Sequence, residues 1–433
     1  MGESLSDKTL TQNNKIESFL IEWLILFVCI GYPIQAMVPI MLKTASTPIN
    51  TGFRVVYLLV SLYLIWRARK KKKAIHSKSL LIFLFFWIIY SYRIISDIQF
   101  NGKSFLGIDS FYVYSFAFGS SFALALSVFM NGNLINLPRI TKNLFYILLI
   151  SNVCIIANLL FYSTGGLAAS FISRANVNAE INGETISVVN GITLAFTGEL
   201  LSLVSIIFLI FNPLNWSANH KYLLWGTTLL GIINLLLGAS RGPLVSFILL
   251  LLYIIFSYLK LKHFSVVSIL KFFSWLFGIL LASLIFIVPI WNNLNLEIIN
   301  RMTSFYTERQ IGGKIEERDF EWASAWRQFV ENPIFGDSFV NDFDKSYAHN
   351  LFLDSLMATG VVGTILLIYL TYKSFSSFIK SSRSLKVQLL PIWITYLSIL
   401  ILSLTSGGLF VAFPFWIMLA VTIKIPIYAN YKY

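Results

Sequence analysis

Long apolar runs separated by short polar connections dominate the 433-residue chain. They fall at 19–41, 53–66, 80–96, 111–130, 144–162, 187–211, 221–238, 243–259, 266–290, 350–372, 387–405 and 408–425. A helix of about 20 apolar residues crosses the hydrocarbon layer of a bilayer. Lipid offers the backbone no outside partner, so each run must satisfy its own peptide groups as a helix. The pattern therefore predicts an all-α, polytopic bundle of about twelve transmembrane helices. The run at 53–66 is short, and Arg54 near its start can snorkel to the interface. The polar opening from Met1 to Ser18 lacks the layout of a signal peptide.

One stretch breaks the pattern. Residues 291–348 form a long polar segment, which divides the chain into a bundle at 1–290 (about nine helices), an external loop at 291–348 and closing helices at 349–433. Within the loop, Phe320, Ala323, Trp326 and Phe329 or Val330 recur at three-to-four spacing, the stripe of an amphipathic helix. Asn332-Pro333 should end that helix, and Gly336 suits the turn that follows. Such a helix lies on the membrane surface or caps the bundle. No repeat at fixed period is visible.

Composition reinforces this: 57% of residues are hydrophobic, 16% aromatic and only 12% charged. The net charge of +13 does not point to nucleic acid, because the basic residues sit in short connections between apolar runs. Arg67 to Lys73 is the densest basic connection and should be cytoplasmic. Alternation of sides then places Arg139 and Lys142, Lys260 and Lys262, and Lys373, Lys380, Arg383 and Lys386 on the same side, with both termini. The opposite side carries a 163–186 loop and the 291–348 segment. That segment holds Arg301, Arg309, Lys314, Arg318, Arg327 and Lys345, against the usual trend. Cys29 and Cys154 lie in apolar runs and have no metal-ligand spacing.

Topology sorts the candidate chemistry. His76, His220 and His263 fall in or beside cytoplasmic connections, which leaves His349 as the one outward histidine. It is either a base near neutral pH or an interfacial polar residue. Ser240-Arg241-Gly242-Pro243 joins two runs at the outer side. A helix start with a fixed cation suits a phosphate; the same residues also suit a tight hairpin with Arg241 at lipid headgroups. Glu199 lies deep in a run, where a carboxylate is costly. Arg93, Arg174 or an acceptor hydroxyl would partner it. Asp342-Phe343-Asp344 offers either a divalent-metal grip or ordinary loop chemistry. Phosphate-loop, H-E-x-x-H and G-x-S-x-G motifs are missing.

Three stretches in order carry a family resemblance. They are Ser240-Arg241-Gly242, Arg318-Asp-Phe-Glu-Trp322 running into Asn332-Pro333-Ile-Phe-Gly336, and Ala348-His349-Asn350-Leu-Phe-Leu353 continuing to Gly360-Val-Val-Gly363. Together they resemble the O-antigen ligase and Wzy-type repeat-unit polymerase superfamily. The resemblance covers roughly 190–410, and the second glycine usual after Gly336 is missing here. It implies a GT-C-like membrane glycosyltransferase whose donor is an undecaprenyl-diphosphate-linked glycan. Arg241 and Arg318 would stabilise the diphosphate leaving group, and His349 would deprotonate the acceptor hydroxyl. Arg301, Arg309 and Glu199 would be further diphosphate or glycan contacts. Neither metal nor other cofactor is expected. The resemblance also implies the bacterial inner membrane, a site facing the periplasm or exterior, and a chain-length regulator of the same pathway as partner. Polymerisation is the leading expectation, and ligation to lipopolysaccharide core or another acceptor is the alternative. A polysaccharide or lipid transporter should instead show broken helices or charges at mid-membrane depth.

Overall fold

The computed structural model describes residues 5–42, 46–71, 77–161, 177–181, 184–217, 219–262 and 317–429. Arg174, Arg301, Arg309, Lys314 and the 266–290 run lie outside the described residues. Each of the other apolar runs meets a helix. In chain order these are α1 (Leu5–Cys29), α2 (Tyr32–Leu42), α3 (Ser46–Lys70), α4 (Lys78–Gln99), α5 (Ser110–Tyr114), a π-helical stretch (Ser115–Ala123), α6 (Leu124–Asn131) and α7 (Leu137–Phe161). Next come α8 (Gly191–Phe211), α9 (His220–Leu237), α10 (Arg241–Lys262), α11 (Glu317–Glu331), α12 (Leu351–Lys380), α13 (Arg383–Ser406) and α14 (Phe413–Ala429). Among the described residues, 8 helices are long and apolar enough to cross a membrane. The number is up to 9 if the pair α1–α2 counts as one span. This is a multi-pass membrane protein.

The all-α expectation holds for the bundle, with one short hairpin added. A β-hairpin joins β1 (Val177–Ile181) to β2 (Glu184–Val189) in antiparallel register. Thr185, Ile186, Val188 and Val189 supply β-branched residues that favour extended backbone. The run read as beginning at 187 therefore becomes helical only at Gly191, where Asn190 caps α8 by accepting from the Thr193 N–H at 2.8 Å.

Contacts divide the chain into two compact units that do not follow chain order. The first comprises 1–32, 47–147 and 315–433; the second comprises 33–46 and 148–314.

In the first unit, ion pairs collect the basic connections at one end. Glu17 of α1 accepts from Arg67 at 2.8 Å and from Lys71 at 2.5 Å. Glu22, one turn further, accepts from Arg139 at 2.5 Å and from the Asn136 N–H at 2.7 Å. The α4 helix starts from that end and carries Arg93 and Asp97 to the other. The α12 helix starts at the far end and returns to the basic end at Lys380, and α13 climbs back. Ser406 to Phe410 thus meets the start of α12: the buried Asp354 carboxylate accepts from the Leu409 N–H at 2.7 Å.

In the second unit, α8 and α9 pack through small residues. A Cβ on Gly198 would lie 2.5 Å from the Gly231 carbonyl oxygen, so the backbones approach as only glycine allows. Ser202 Oγ bridges the helices, donating to Gly198 O at 3.0 Å or Thr228 O at 3.2 Å.

Candidate active site at the end of the first unit opposite the basic connections

The site rests on a break in α12. Gly360 adopts φ 62° and ψ −161° inside an otherwise helical stretch, a conformation that L side chains avoid. The break leaves peptide groups without helical partners. The turn that follows α11 fills them. The Val361 N–H donates to Pro333 O at 2.8 Å, and the Asp337 N–H donates to Met357 O at 2.8 Å. The two backbones touch, since a Cβ on Gly336 (φ 73°) would come within 2.5 Å of the Ala358 carbonyl carbon. Asn332-Pro333 and Gly360 are therefore two halves of one joint.

Arg93 locks the joint. Its guanidinium donates to the carbonyls of Asp337 (2.7 Å), Gly336 (2.7 Å), Phe335 (3.2 Å) and Ala358 (3.2 Å). Asp97, one turn on and fully buried, accepts from the Phe339 N–H at 2.8 Å. Asp337 stands where the resemblance would have a second glycine nearby. Its carboxylate holds the turn from the side, accepting from Gln328 at 3.3 Å and Asn332 at 3.2 Å and lying 3.4 Å from Lys103.

The α11 helix forms where the stripe predicts it, and its orientation follows from its surroundings. Phe320, Trp326 and Val330 are exposed, whereas Glu321, Ser324, Ala325 and Gln328 are buried. Polar side chains on that inner face recognise the loop leading to α12. Gln328 donates to Val340 O at 3.2 Å and accepts from the Asp342 N–H at 3.0 Å, and Asn341 donates to Glu321 O at 2.7 Å. The polar face of α11 thus packs on protein while its apolar residues stay exposed.

This framework delivers His349. Asn350 caps α12 by accepting from the Phe352 and Leu353 N–H groups, each at 3.1 Å. Asp354 reaches back to accept from the Ala348 N–H at 3.1 Å. His349 between them takes a left-handed backbone, φ 50°, a region that histidine visits more readily than most residues, with the flanking bonds on either side. Its Nε2 lies 3.8 Å from Oε1 of Glu321, and its side chain stays 26% exposed. Tyr347 stands edge-on to the imidazole, with ring centres 4.5 Å apart. Burial raises the Tyr347 phenol above its ordinary range, and the nearby charges of Asp354 and Glu321 add to this while Arg318 opposes them. The phenol therefore stays neutral. Arg318 is exposed one turn before Glu321 on α11, so the cation and the Glu321–His349 pair share one local field.

Of the expected site residues, Arg318 and His349 belong to this first unit. Arg241 opens α10 in the second unit, with the Ser240 carbonyl accepting from the Leu244 N–H at 3.4 Å. Glu199, 0% exposed, belongs there too and accepts from Ser246 Oγ at 2.5 Å. Arg301 and Arg309 lie outside the described residues. In the Asp342-Phe343-Asp344 triplet, Asp344 closes a local turn on the Ser346 N–H at 3.0 Å, while Asp342 lies 3.7 Å from Lys345 and 3.9 Å from Lys103. Among the described residues, three or more His, Cys, Asp or Glu nowhere group as a metal site. Reading the chain offered Arg93 only as a partner for Glu199, whereas it binds backbone carbonyls, and missed Asp97, Glu321 and Asp354; the cost of charge beside an apolar run could have flagged Asp97.

Comparison with known families bears out the resemblance. Residues 226–368 match the Wzy_C family, described as O-antigen ligase, consistent with the O-antigen ligase/polymerase superfamily. The matched stretch includes Arg241, Arg318, the Asn332–Gly336 turn, His349 and the Gly360 break. It supports an enzyme of O-antigen biosynthesis. No curated protein matches the chain.

Proposed function

We propose that the protein is a repeat-unit polymerase that transfers a growing glycan from a polyprenyl diphosphate to the non-reducing end of a new lipid-linked repeat unit. The observation that carries this reading is the Glu321–His349 pair, 3.8 Å apart, with Arg318 one turn away on the same helix. The acceptor hydroxyl gives its proton to His349 Nε2 as its oxygen attacks the anomeric carbon from the face opposite the leaving group. The bond from that carbon to the diphosphate oxygen breaks, and the polyprenyl diphosphate departs with the electron pair. Configuration inverts. Glu321 stabilises the imidazolium that forms. Arg318 is assigned to the departing diphosphate, where charge grows and charge-assisted hydrogen bonds strengthen; Arg241, in the second unit, keeps the role that the resemblance implies. In this reading the guanidinium groups supply what a divalent cation would, so Asp342 and Asp344 remain loop residues.

The site then faces the exterior, because the basic connections of the first unit gather at its other end and basic loops remain cytoplasmic. Broken helices are what a transporter would show. The Gly360 break, however, is filled by the Pro333–Gly336 turn and leaves no open passage at that point. Ligation to another acceptor uses the same chemistry. Glycan banding in a deletion strain separates the two: single repeats on the core follow from a lost polymerase, and polymer retained on the lipid carrier follows from a lost ligase.

A further inference from the structure

Arg54 is a charged residue in a membrane span that the reaction above does not use. It lies in α3, within the span Ile49–Lys70, well away from the Arg67–Lys71 end held by Glu17. Its guanidinium carbon sits 3.9 Å above the ring of Phe116. Its charge reaches the phenols of Tyr32 and Tyr112, and among the described residues no carboxylate is an electrostatic neighbour. Stacking on Phe116 holds the guanidinium plane while leaving its N–H donors directed away from the ring. The Tyr112 ring packs 4.4 Å from that of Phe116, so its phenol and the held guanidinium, with the Tyr32 phenol in the same field, offer O–H and N–H donors to an oxyanion. At this depth, that anion belongs to a lipid.

The position is linked to the active site through packed rings. From His349 the steps run to Tyr347 (4.5 Å), Phe105 (5.7 Å), Tyr112 (6.5 Å), Phe116 (4.4 Å) and Arg54 (3.9 Å). Phe105 and Phe116 are buried, so this is a rigid spacer and not a surface track. It bounds the separation between Arg54 and the base to the length of a short oligosaccharide. A lipid phosphate held at Arg54 would therefore set its own glycan end within reach of His349.

We propose that Arg54, Tyr112 and Tyr32, with Phe116 as the stacking plate, form a second lipid-diphosphate site that anchors the acceptor substrate. The assignment of this lipid as acceptor rests on the transferase reading above; the binding site itself does not. Full-length protein in detergent is titrated with a polyprenyl diphosphate, and separately with phosphatidylglycerol, and bound lipid is counted by native mass spectrometry. The wild type should bind two equivalents of the diphosphate. Arg54→Ala should lose one of them, with affinity at that site falling roughly ten- to hundredfold, and Arg318→Ala should lose the other. Arg54→Lys keeps the charge but not the planar fork and should bind intermediately; Tyr112→Phe keeps the stack and should weaken binding less. Unchanged diphosphate binding in Arg54→Ala, or in Arg54→Lys where the alanine variant does not fold, overturns the site. An equal loss of phosphatidylglycerol makes Arg54 a general headgroup anchor and overturns it as well. If binding behaves as expected while wild-type protein elongates no glycan, the transferase reading fails and the site stands.

Discussion

Glu321 lies on α11 and His349 in the loop before α12, yet a carboxylate oxygen of one lies 3.8 Å from Nε2 of the other. Glu321 is 6% exposed and His349 remains open to an incoming group. A buried carboxylate beside a base steadies the protonated ring. Glu321→Gln should therefore lower kcat by roughly ten- to hundredfold, with KM nearly unchanged. Steady-state kinetics on the purified variant checks this. A rise in KM alone would make Glu321 a substrate contact.

Arg93 should not tolerate lysine. Its four carbonyl partners are spread around one planar fork, and an ammonium group cannot reach them together. Arg93→Lys should cost about 2–3 kcal/mol of stability and most of the activity, although the charge is kept. Thermal unfolding in detergent, followed beside turnover, reads both losses.

Gly360→Ala should be worse than an ordinary helix substitution. The new Cβ would collide with the backbone of Ile334 and come within 2.6 Å of the Gly336 nitrogen. The positive φ adds strain. Destabilisation of about 2–4 kcal/mol is expected. Gly226 has nothing within 4 Å of its would-be Cβ, so Gly226→Ala is the control and should leave the melting temperature unchanged or slightly raised.

The helix at Glu317–Glu331 and its end before Asn332-Pro333 are local consequences of spacing and proline geometry, so both are legible in the sequence. The grouping of Arg67, Lys71 and Arg139 is legible through loop charge, and Glu17 and Glu22 supply its physical counterpart. Arg93 is different. Its meaning lies in carbonyls more than two hundred positions away, and carbonyl recognition leaves no mark on residue type. Gly360 hides inside an apolar run because a helix broken and then filled by another segment looks continuous in hydropathy. Glu321 sits on the polar face of α11, which reads as a solvated face until the loop carrying His349 is seen against it.

Asp354→Asn tests the support beneath His349. The native carboxylate accepts from both the Ala348 and Leu409 N–H groups, at 3.1 and 2.7 Å. An amide has one acceptor oxygen and would set its own donors against one of those N–H groups. A loss of about 1–3 kcal/mol is expected, together with reduced turnover in protein that remains folded. Wild-type stability and turnover would show that Asp354 does not hold the loop.

The central claim is metal-independent glycan transfer with His349 as the base. Purified protein is reconstituted with lipid-linked repeat units in the presence of EDTA, with no nucleotide, and the products are resolved as a ladder. Wild-type protein should lengthen the glycan, and folded His349→Ala should slow this by roughly a hundredfold or more. An unchanged ladder from His349→Ala, or wild-type turnover that EDTA abolishes and Mg²⁺ or Mn²⁺ restores, would contradict the account.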